Sequence, residues 1–487
     1  PVTRSEFVEG TGTGPNNPRE YHNEITHWID LSNVYGSDTE RANELRSFSQ
    51  GLLRTGAGNL LPLAENGGND NPGPTAANDL FLAGDPRANE NVVLSSMHTL
   101  FMREHNRLAG ALAAEHPTWN DEQLYQRARQ INIAQWQNIV YNEYLPTLLG
   151  EGQVQDYSGY DATIDPRISR TFSTAAYRFG HTQLSSEIER VDIDGNTLPE
   201  GNLSLFESFF PGYTMLESTG IDPVIRGVAA SLSQEVDVKL ISDVRNLLFN
   251  FGNFSSAQDL LALNLQRGRD HGLADYNSIR ESFGLAKVNS FADITSNVET
   301  QQALASVYDD VNNIDAFIGM LAEDRLPGGS VGETITTVLV DQFTRLQSGD
   351  RFYYENIFTP EEIALIEETQ LSDIILRNTD TPSIQENVFI LAEEPPSEPI
   401  KTQLVGTDNG DVLAGTAGDD AIMANGGNDT VMAGDGNDDV WTTDATNRGA
   451  GEVDYVDLGS GKNKIFLGDT TGSYYTSDGW NDSVYVD

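Results

Sequence analysis

His181 lies in TFSTAAYRFGHTQL, residues 171–184, with Ala175, Ala176 and Gly180 close by in sequence. Small neighbours leave room beside the ring for something flat and wide, and a neutral imidazole on a packed helix is the commonest axial ligand of a haem iron. The plainer reading is a core histidine satisfied by a backbone carbonyl. AGDPRANEN, residues 83–91, sets Arg87 and Glu90 three apart at the start of an expected helix, so that both project from one face. Alone, that pair reads as a first-turn glutamate on the helix dipole with a surface arginine. DLLALNLQRGRDHGL, residues 259–273, places Asn264 on an apolar helix with Arg267 and Arg269 near its end, and such groups need partners when buried. His98 and His105, seven apart on an apolar face, read as core histidines. A separate set is regular: Asp411, Asp420, Asp429 and Asp438 recur at period nine, each followed two residues later by Leu413, Ile422, Val431 or Val440. Carboxylates repeating among glycines suit Ca²⁺.

These residues need elements to hold them. Asp165-Pro166 predicts an N-cap and a first-turn proline for a buried helix, with Ile168, Phe172, Ala175, Ala176 and Phe179 at helical spacing. Asp85-Pro86 predicts a second such start, followed by Leu94, Met97, Phe101, Leu108 and Leu112. A long helix is expected from about Asp121 to Tyr144, ended by Pro146. Helical patterns return near 238–250, 257–265, 274–283, 300–322, 333–347 and 360–370, while 1–18 read as an irregular arm and 51–80 as loop. LAEEPPSEPIKTQ, residues 391–403, carries three prolines and no periodicity. After it, residues 404–487 hold 16 acidic against 3 basic side chains. The expected architecture is a mainly α domain over 1–392, a linker over 393–403 and a small parallel β-roll over 404–487. In the roll each nine-residue unit makes a Gly-rich turn and a short strand, aliphatics stack inward, and aspartates of successive coils share Ca²⁺. Segments 458–469 and 478–487 read as degenerate coils. Without calcium the stacked carboxylates would repel, and the segment is expected to be largely disordered.

Composition narrows the chemistry. The 487 residues carry a formal charge of −45, which makes nucleic acid and anionic membranes poor partners and divalent cations good ones. There is no cysteine, which excludes disulfides, thiolate nucleophiles, iron–sulfur clusters and cysteine zinc sites. No run approaches the ~18 apolar residues that a membrane-spanning helix needs. The start at Pro1, with no signal-peptide pattern, predicts a cut by processing or a piece of a longer product.

The nonapeptides resemble the hemolysin-type (RTX) calcium-binding repeats of Gram-negative exported proteins, which implies type I secretion machinery and folding outside the cell in calcium. IDLSNVYGS, LAGDPRANE, SMHTLFMREHNRLA, YNEYLPTLLG, YRFGH and LNLQRGRDHGL, taken together over about 19–392, resemble the animal-type haem peroxidase superfamily, with peroxidasin-like and bacterial members nearest. That resemblance implies haem b and Ca²⁺ as cofactors and His181 as the proximal ligand. It implies that Asn264 accepts the imidazole Nδ1–H, and that Arg178 and Arg267 pair with haem propionates. Arg87 corresponds to the distal arginine that stabilises charge on peroxide, and Glu90 to the glutamate that forms an ester with a haem methyl. Thr26, Trp28 through its carbonyl, Asp30 and Ser32 match the family's calcium loop.

Two departures shape the expected function. The family's Q-x-x-D-H element, which supplies the distal acid/base histidine, is expected upstream of Pro1, since neither His22 nor His27 matches it. Asn91 stands where the chloride-oxidising member has methionine, so bromide, iodide, thiocyanate or phenolic donors are expected instead of chloride. The implied protein is a secreted bacterial haem peroxidase that splits hydrogen peroxide through an oxyferryl intermediate. One rival is a cyclooxygenase-like or α-dioxygenase-like fatty-acid oxygenase, whose radical tyrosine lies three residues before the proximal histidine. Here that position is Arg178, and Tyr177 lies four before. The other rival is a calcium-dependent extracellular adhesion protein on a peroxidase scaffold.

Overall fold

Amphipathic helices followed by glycine-rich acidic repeats fold into two compact units, Pro1–Ala392 and Glu393–Asp487. The computed structural model describes residues 4–65, 68–69, 75–210, 212–246, 258–391, 401–436, 438–442, 453–460, 463–467, 474–476 and 483–486. Most of the expected linker, and parts of the helices expected at 238–250 and 257–265 and of the two degenerate coils, lie outside the described residues.

The first unit is mainly helical, as expected, and built on two apolar cores. Helix α1 spans Val92–Glu115 and begins later than Asp85-Pro86 predicts. Asp85 instead accepts the Arg87 N–H (2.8 Å), Ala88 N–H bonds back to Asp85 O (3.2 Å), and Asn89 ties this turn to the Phe81 backbone. The true cap is Asn91, whose side chain accepts from Leu94 N. His98 and His105 are buried on α1 as core histidines; His105 bonds Tyr35 Oη and Gly51 O.

Helix α2, Asp121–Ile139, opens with a capping box between Asn120 and Gln123 and meets α1 through the edge-on pair Phe101–Trp136 (4.8 Å). Pro146 does not end the helical run. The backbone widens into a π turn over Val140–Tyr144, with Leu145 N–H bonded to Val140 O, and Pro146 falls in the first turn of α3, Leu145–Leu149. Proline lacks the N–H that an interior position must donate, and a new first turn does not need it.

The π turn also buries Glu143, which accepts from Leu371 N (3.0 Å) at the start of a helix over Leu371–Asn378. Burial, reinforced by the charge of Asp373, pushes its carboxyl up to about 7. A folded-state value raised above the free one favours folding while the group is protonated, and that contribution is lost as pH rises from the free carboxyl range through 7. Glu143→Gln keeps an acceptor for Leu371 N without the charge. It is expected to be more stable than the wild type at pH 8.5, by on the order of 2 kcal/mol, and to lose the advantage at pH 5. Denaturant unfolding at the two pH values checks this; equal differences at both would contradict it.

The second unit is a parallel two-sheet roll, with strands β1 (Thr402–Val405), β2 (Val412–Ala414), β3 (Asp420–Met423), β4 (Thr430–Met432), β5 (Asp439–Trp441), β6 (Tyr455–Asp457), β7 (Lys464–Leu467), β8 (Tyr474–Thr476) and β9 (Ser483–Val486). Odd strands form one sheet and even strands the other, each pairing in parallel with the strand two places along. One full coil in the repeat region is therefore two nonapeptides, and Ile422 pairs with Val440 while Leu413 pairs with Val431. Ile422, Val431, Val440, Val456 and Ile465 are completely buried between the sheets. The 3₁₀ and loop elements that carry His181 belong to the first unit.

Candidate functional site

The helix expected from Asp165 begins only at Ser169, whose hydroxyl accepts from Phe172 N, and runs as α4 over Arg170–Thr174. Asp165 is instead turned onto the Arg167 N–H and guanidinium. Ala175 (φ −133°, ψ −75°) breaks the helix, and Ala176–Thr182 continues as a 3₁₀ segment bearing His181. Phe172, Ala175, Ala176 and Phe179 anchor both pieces in the core with Phe343 and Tyr141. A methyl group built on Gly180 would meet nothing within 4 Å, so space adjoins the histidine.

Across from this segment, α5 (Leu260–Asp270) presents Asn264, which is 1% exposed. Its amide Nδ2 donates to His181 Nδ1 (2.8 Å), while its Oδ1 accepts from Arg178 Nη1 (2.9 Å). Asn264 thus donates to the imidazole here, whereas the resemblance implies an amide that accepts from it. Arginine carries only donors and so claims the one amide oxygen. Burial, with the charge of Arg178 adding to it, pulls His181 down to about 4. The ring is therefore neutral at physiological pH, and its Nε2 has no hydrogen-bond partner among the described residues.

Arg178 also donates to Ser173 O, and it feels the positive charge of Arg267. Arg267 donates to Ser5 Oγ, on the N-terminal arm. The arm is fastened there by Ser5 N to Asp270 Oδ2 (2.8 Å), by Ser5 Oγ to His271 Nε2 (2.8 Å), and by Tyr21 stacked on His271. Among the described residues neither Arg178 nor Arg267 is in an ion pair. Two neighbouring guanidiniums without a carboxylate call for an anionic ligand. Arg269, by contrast, is satisfied by Asp315.

Arg87 and Glu90 lie in the turn before α1 and not on a helix face; Glu90 N–H bonds Arg87 O. The Arg87 guanidinium grips Asp85 (2.6 and 2.9 Å), which holds the Asp85 carboxyl below its usual range even against burial. In the sequence Asp85 reads only as a helix cap and not as a partner of Arg87, although the same Asp-x-Arg spacing recurs at Asp165 and Arg167; Ser5, in an irregular polar arm, leaves no such trace. The turn abuts the expected calcium loop: a methyl group on Gly84 would lie 2.1 Å from Ser32 O, and Asp85 N bonds Asn33 O.

In that loop Thr26 Oγ1 accepts from Trp28 N (3.1 Å) and Asp30 Oδ1 from Ser32 N (3.0 Å), with Leu31 in the left-handed region. Burial raises the Asp30 carboxyl, the direction a nearby cation would reverse. Trp28 and Asp30 border a cleft of about 650 Å³ that Gln137 and Asp350 also line. Among the described residues no three His, Asp or Glu converge as a metal cage, so any cation there depends on hydroxyls and carbonyls as well.

In the roll, the four aspartates divide between the two edges, Asp411 with Asp429 and Asp420 with Asp438. Each of Asp429 and Asp438 accepts the backbone N–H of its counterpart one coil earlier. Among the described residues Asp420 Oδ1 and Asp438 Oδ2 are buried without a hydrogen bond, and burial with the charges of Asp420 and Asp419 lifts Asp438 to about 6. Orphaned buried carboxylate oxygens fit a cation.

The family model for animal haem peroxidase matches residues 1–389, and that for the RTX calcium-binding nonapeptide repeat (4 copies) matches 405–440. Peroxinectin A of Dictyostelium discoideum is 38% identical over 385 residues, 76% of this chain and 70% of that protein. Dual oxidase of Drosophila melanogaster is 39% identical over 414 residues, 80% of this chain, but the match spans only 27% of that protein's length. Among solved structures, peroxidase A of Dictyostelium discoideum superposes with a TM-score of 0.73 at 35% identity, covering 80% of this chain and 77% of that one. Oryza sativa fatty acid alpha-dioxygenase (TM-score 0.63, 22% identity, 77% and 66% covered) shares the fold. With the family model matched over four-fifths of its length and a relative 38% identical over most of that protein, the chain belongs to the animal haem peroxidase family and carries RTX calcium-binding repeats.

Proposed function

We propose that this chain is a secreted haem peroxidase that reduces hydrogen peroxide and oxidises small anions (bromide, iodide or thiocyanate) or phenolic donors. The observation that carries the reading is the neutral His181, held by Asn264 with Nε2 uncommitted and Arg178 and Arg267 alongside. A bound haem supplies the iron that receives peroxide oxygen and stores its oxidising equivalents. His181 would hold that iron through Nε2, which places the ring proton on Nδ1 and requires an acceptor there. Asn264 would provide one with its amide turned over, and Arg178, then free of Oδ1, would hold a propionate together with Arg267. Arg87, oriented by Asp85, would stabilise charge on peroxide, and Glu90 would form the ester. Thr26, Trp28, Asp30 and Ser32 would hold Ca²⁺ beside the turn that carries Arg87, so that the ion stiffens this turn. We place the domain boundary in 393–403. Export through a type I route and folding in external calcium follow from the acidic, cysteine-free repeats.

Against a fatty-acid oxygenase stands Arg178: three residues before His181 there is a guanidinium committed to Asn264, and no phenol. The haem-loaded chain is expected to turn over iodide or a phenol with hydrogen peroxide, and to show no oxygen uptake with a long-chain fatty acid. Oxygen uptake without peroxide turnover would replace this reading with the oxygenase.

A further inference from the structure

The N-terminal arm has no helical or strand period, yet both of its ends are fastened to one turn of α5. Val8 N–H bonds Glu20 O (2.8 Å) and Gly12 N–H bonds Asn17 O (3.0 Å), so residues 8–20 fold back on themselves as a closed loop. Asp270 takes both feet of that loop: Ser5 N–H on Oδ2 (2.8 Å) and Arg19 Nη1 on Oδ1 (3.2 Å). Tyr21 lies flat on His271, ring centroids 3.8 Å apart with parallel planes, and its hydroxyl donates to Asp270 O (3.1 Å). Arg170, at the start of α4, donates to Arg19 O and His271 O (3.3 and 3.4 Å). The turn that receives these contacts also carries Arg267, three residues before Asp270 and four before His271, so all three project from one face. Ser5 Oγ touches both Arg267 Nη1 and His271 Nε2, the latter at 2.8 Å. An arginine only donates, so the hydroxyl accepts from Arg267 and keeps its own proton for His271. It thereby fixes where the guanidinium points without supplying negative charge. Arg267 stands in the field of Arg178, and among the described residues neither has a carboxylate partner. Its orientation is therefore held against repulsion until an anion joins the two.

We propose that the arm over residues 4–21 is a latch on the cofactor: Ser5 positions Arg267 for a carboxylate of the haem, and binding of that carboxylate seats the arm. This rests on the haem-peroxidase reading above. Ser5 is a positioning residue, and Asp270, Tyr21 and His271 are the fastening that keeps it on Arg267. The coupling runs both ways. An anion on Arg267 offsets its repulsion from Arg178, steadies the guanidinium and so strengthens the Ser5 contact. A seated arm, in turn, holds the guanidinium ready for the anion and slows the anion's departure, because a coupling free energy between two sites is reciprocal.

The test uses the full chain, haem-free and loaded without peroxide, either with haem or with haem dimethyl ester, whose carboxyl groups are capped and uncharged. Amide hydrogen exchange over residues 4–21, read by mass spectrometry, is expected to slow roughly tenfold with haem and to keep its haem-free rate with the dimethyl ester. Ser5→Ala retains the backbone N–H on Asp270 and loses only the hydroxyl. In that variant haem is expected no longer to slow exchange in the arm, and to pass to a haem-scavenging protein roughly tenfold faster than from the wild type. Ser5→Thr, which restores a hydroxyl, is expected to recover both behaviours. Exchange in the arm that ignores haem, or that slows equally with both porphyrins, overturns the latch while leaving the peroxidase reading intact. So does a Ser5→Ala chain that keeps the wild-type coupling and the wild-type rate of haem loss. A wild type that shows no Soret band with haem overturns the peroxidase reading itself, and this proposal with it.

Discussion

Replacing His181 with alanine is expected to abolish the Soret band of the purified chain while its helical circular dichroism persists. The ring makes one described hydrogen bond, to Asn264, so its loss leaves a single amide donor unsatisfied, a cost of about 1–3 kcal/mol against a unit held by two large cores. His98 and His105 are buried in α1, His271 is committed to Ser5 and Tyr21, and there are no cysteines. Asn264→Ala acts one shell further out and is expected to keep the band but weaken haem retention by about 10–100-fold, measured by transfer to a haem-scavenging protein. A His181→Ala chain with an unaltered Soret band would remove the proposed site.

Chelating calcium is expected to expose the second unit to protease while the first stays intact. The physical cause is the edge that carries Asp420 and Asp438, where both residues are completely buried and one oxygen of each lacks a hydrogen bond among the described residues. A cation is needed to offset that charge, and the affinities of extracellular calcium modules, roughly 10⁻⁴–10⁻³ M, set the scale. Limited proteolysis with mass-spectrometric mapping should place the new cuts within 401–486 in EDTA and lose them as calcium is restored. Asp438→Asn should raise the calcium midpoint by roughly tenfold, because ligand charge sets affinity. Cleavage that ignores both chelation and Asp438→Asn would show that the aliphatic stack holds the roll without an ion.

Local punctuation was the weakest guide. Asp85-Pro86 and Asp165-Pro166 both looked like helix starts, yet each aspartate is spent on an arginine two residues on, and the helices begin at Asn91 and Ser169 instead. A cap signal reports that a carboxylate can satisfy a nearby N–H, and an Asp-x-Arg turn satisfies the same condition without a helix. Pro146 misled for a related reason, since the π turn before it supplies a fresh first turn.

What the chain's sequence settled by itself is whatever repeats or belongs to a long motif. The nine-residue register foretold the strands and the buried aliphatics, because a period-two face inside a fixed repeat leaves one side for the core. The motif set foretold the family. Only the tertiary structure decided the rest: that nonapeptides alternate between two sheets, which parts the aspartates into two edges, and that Asn264 gives its oxygen to Arg178 and its amide to the imidazole. Those outcomes depend on which groups meet across gaps of 18 or 83 residues, and a hydrogen bond chooses its direction only when all of its competitors are in place.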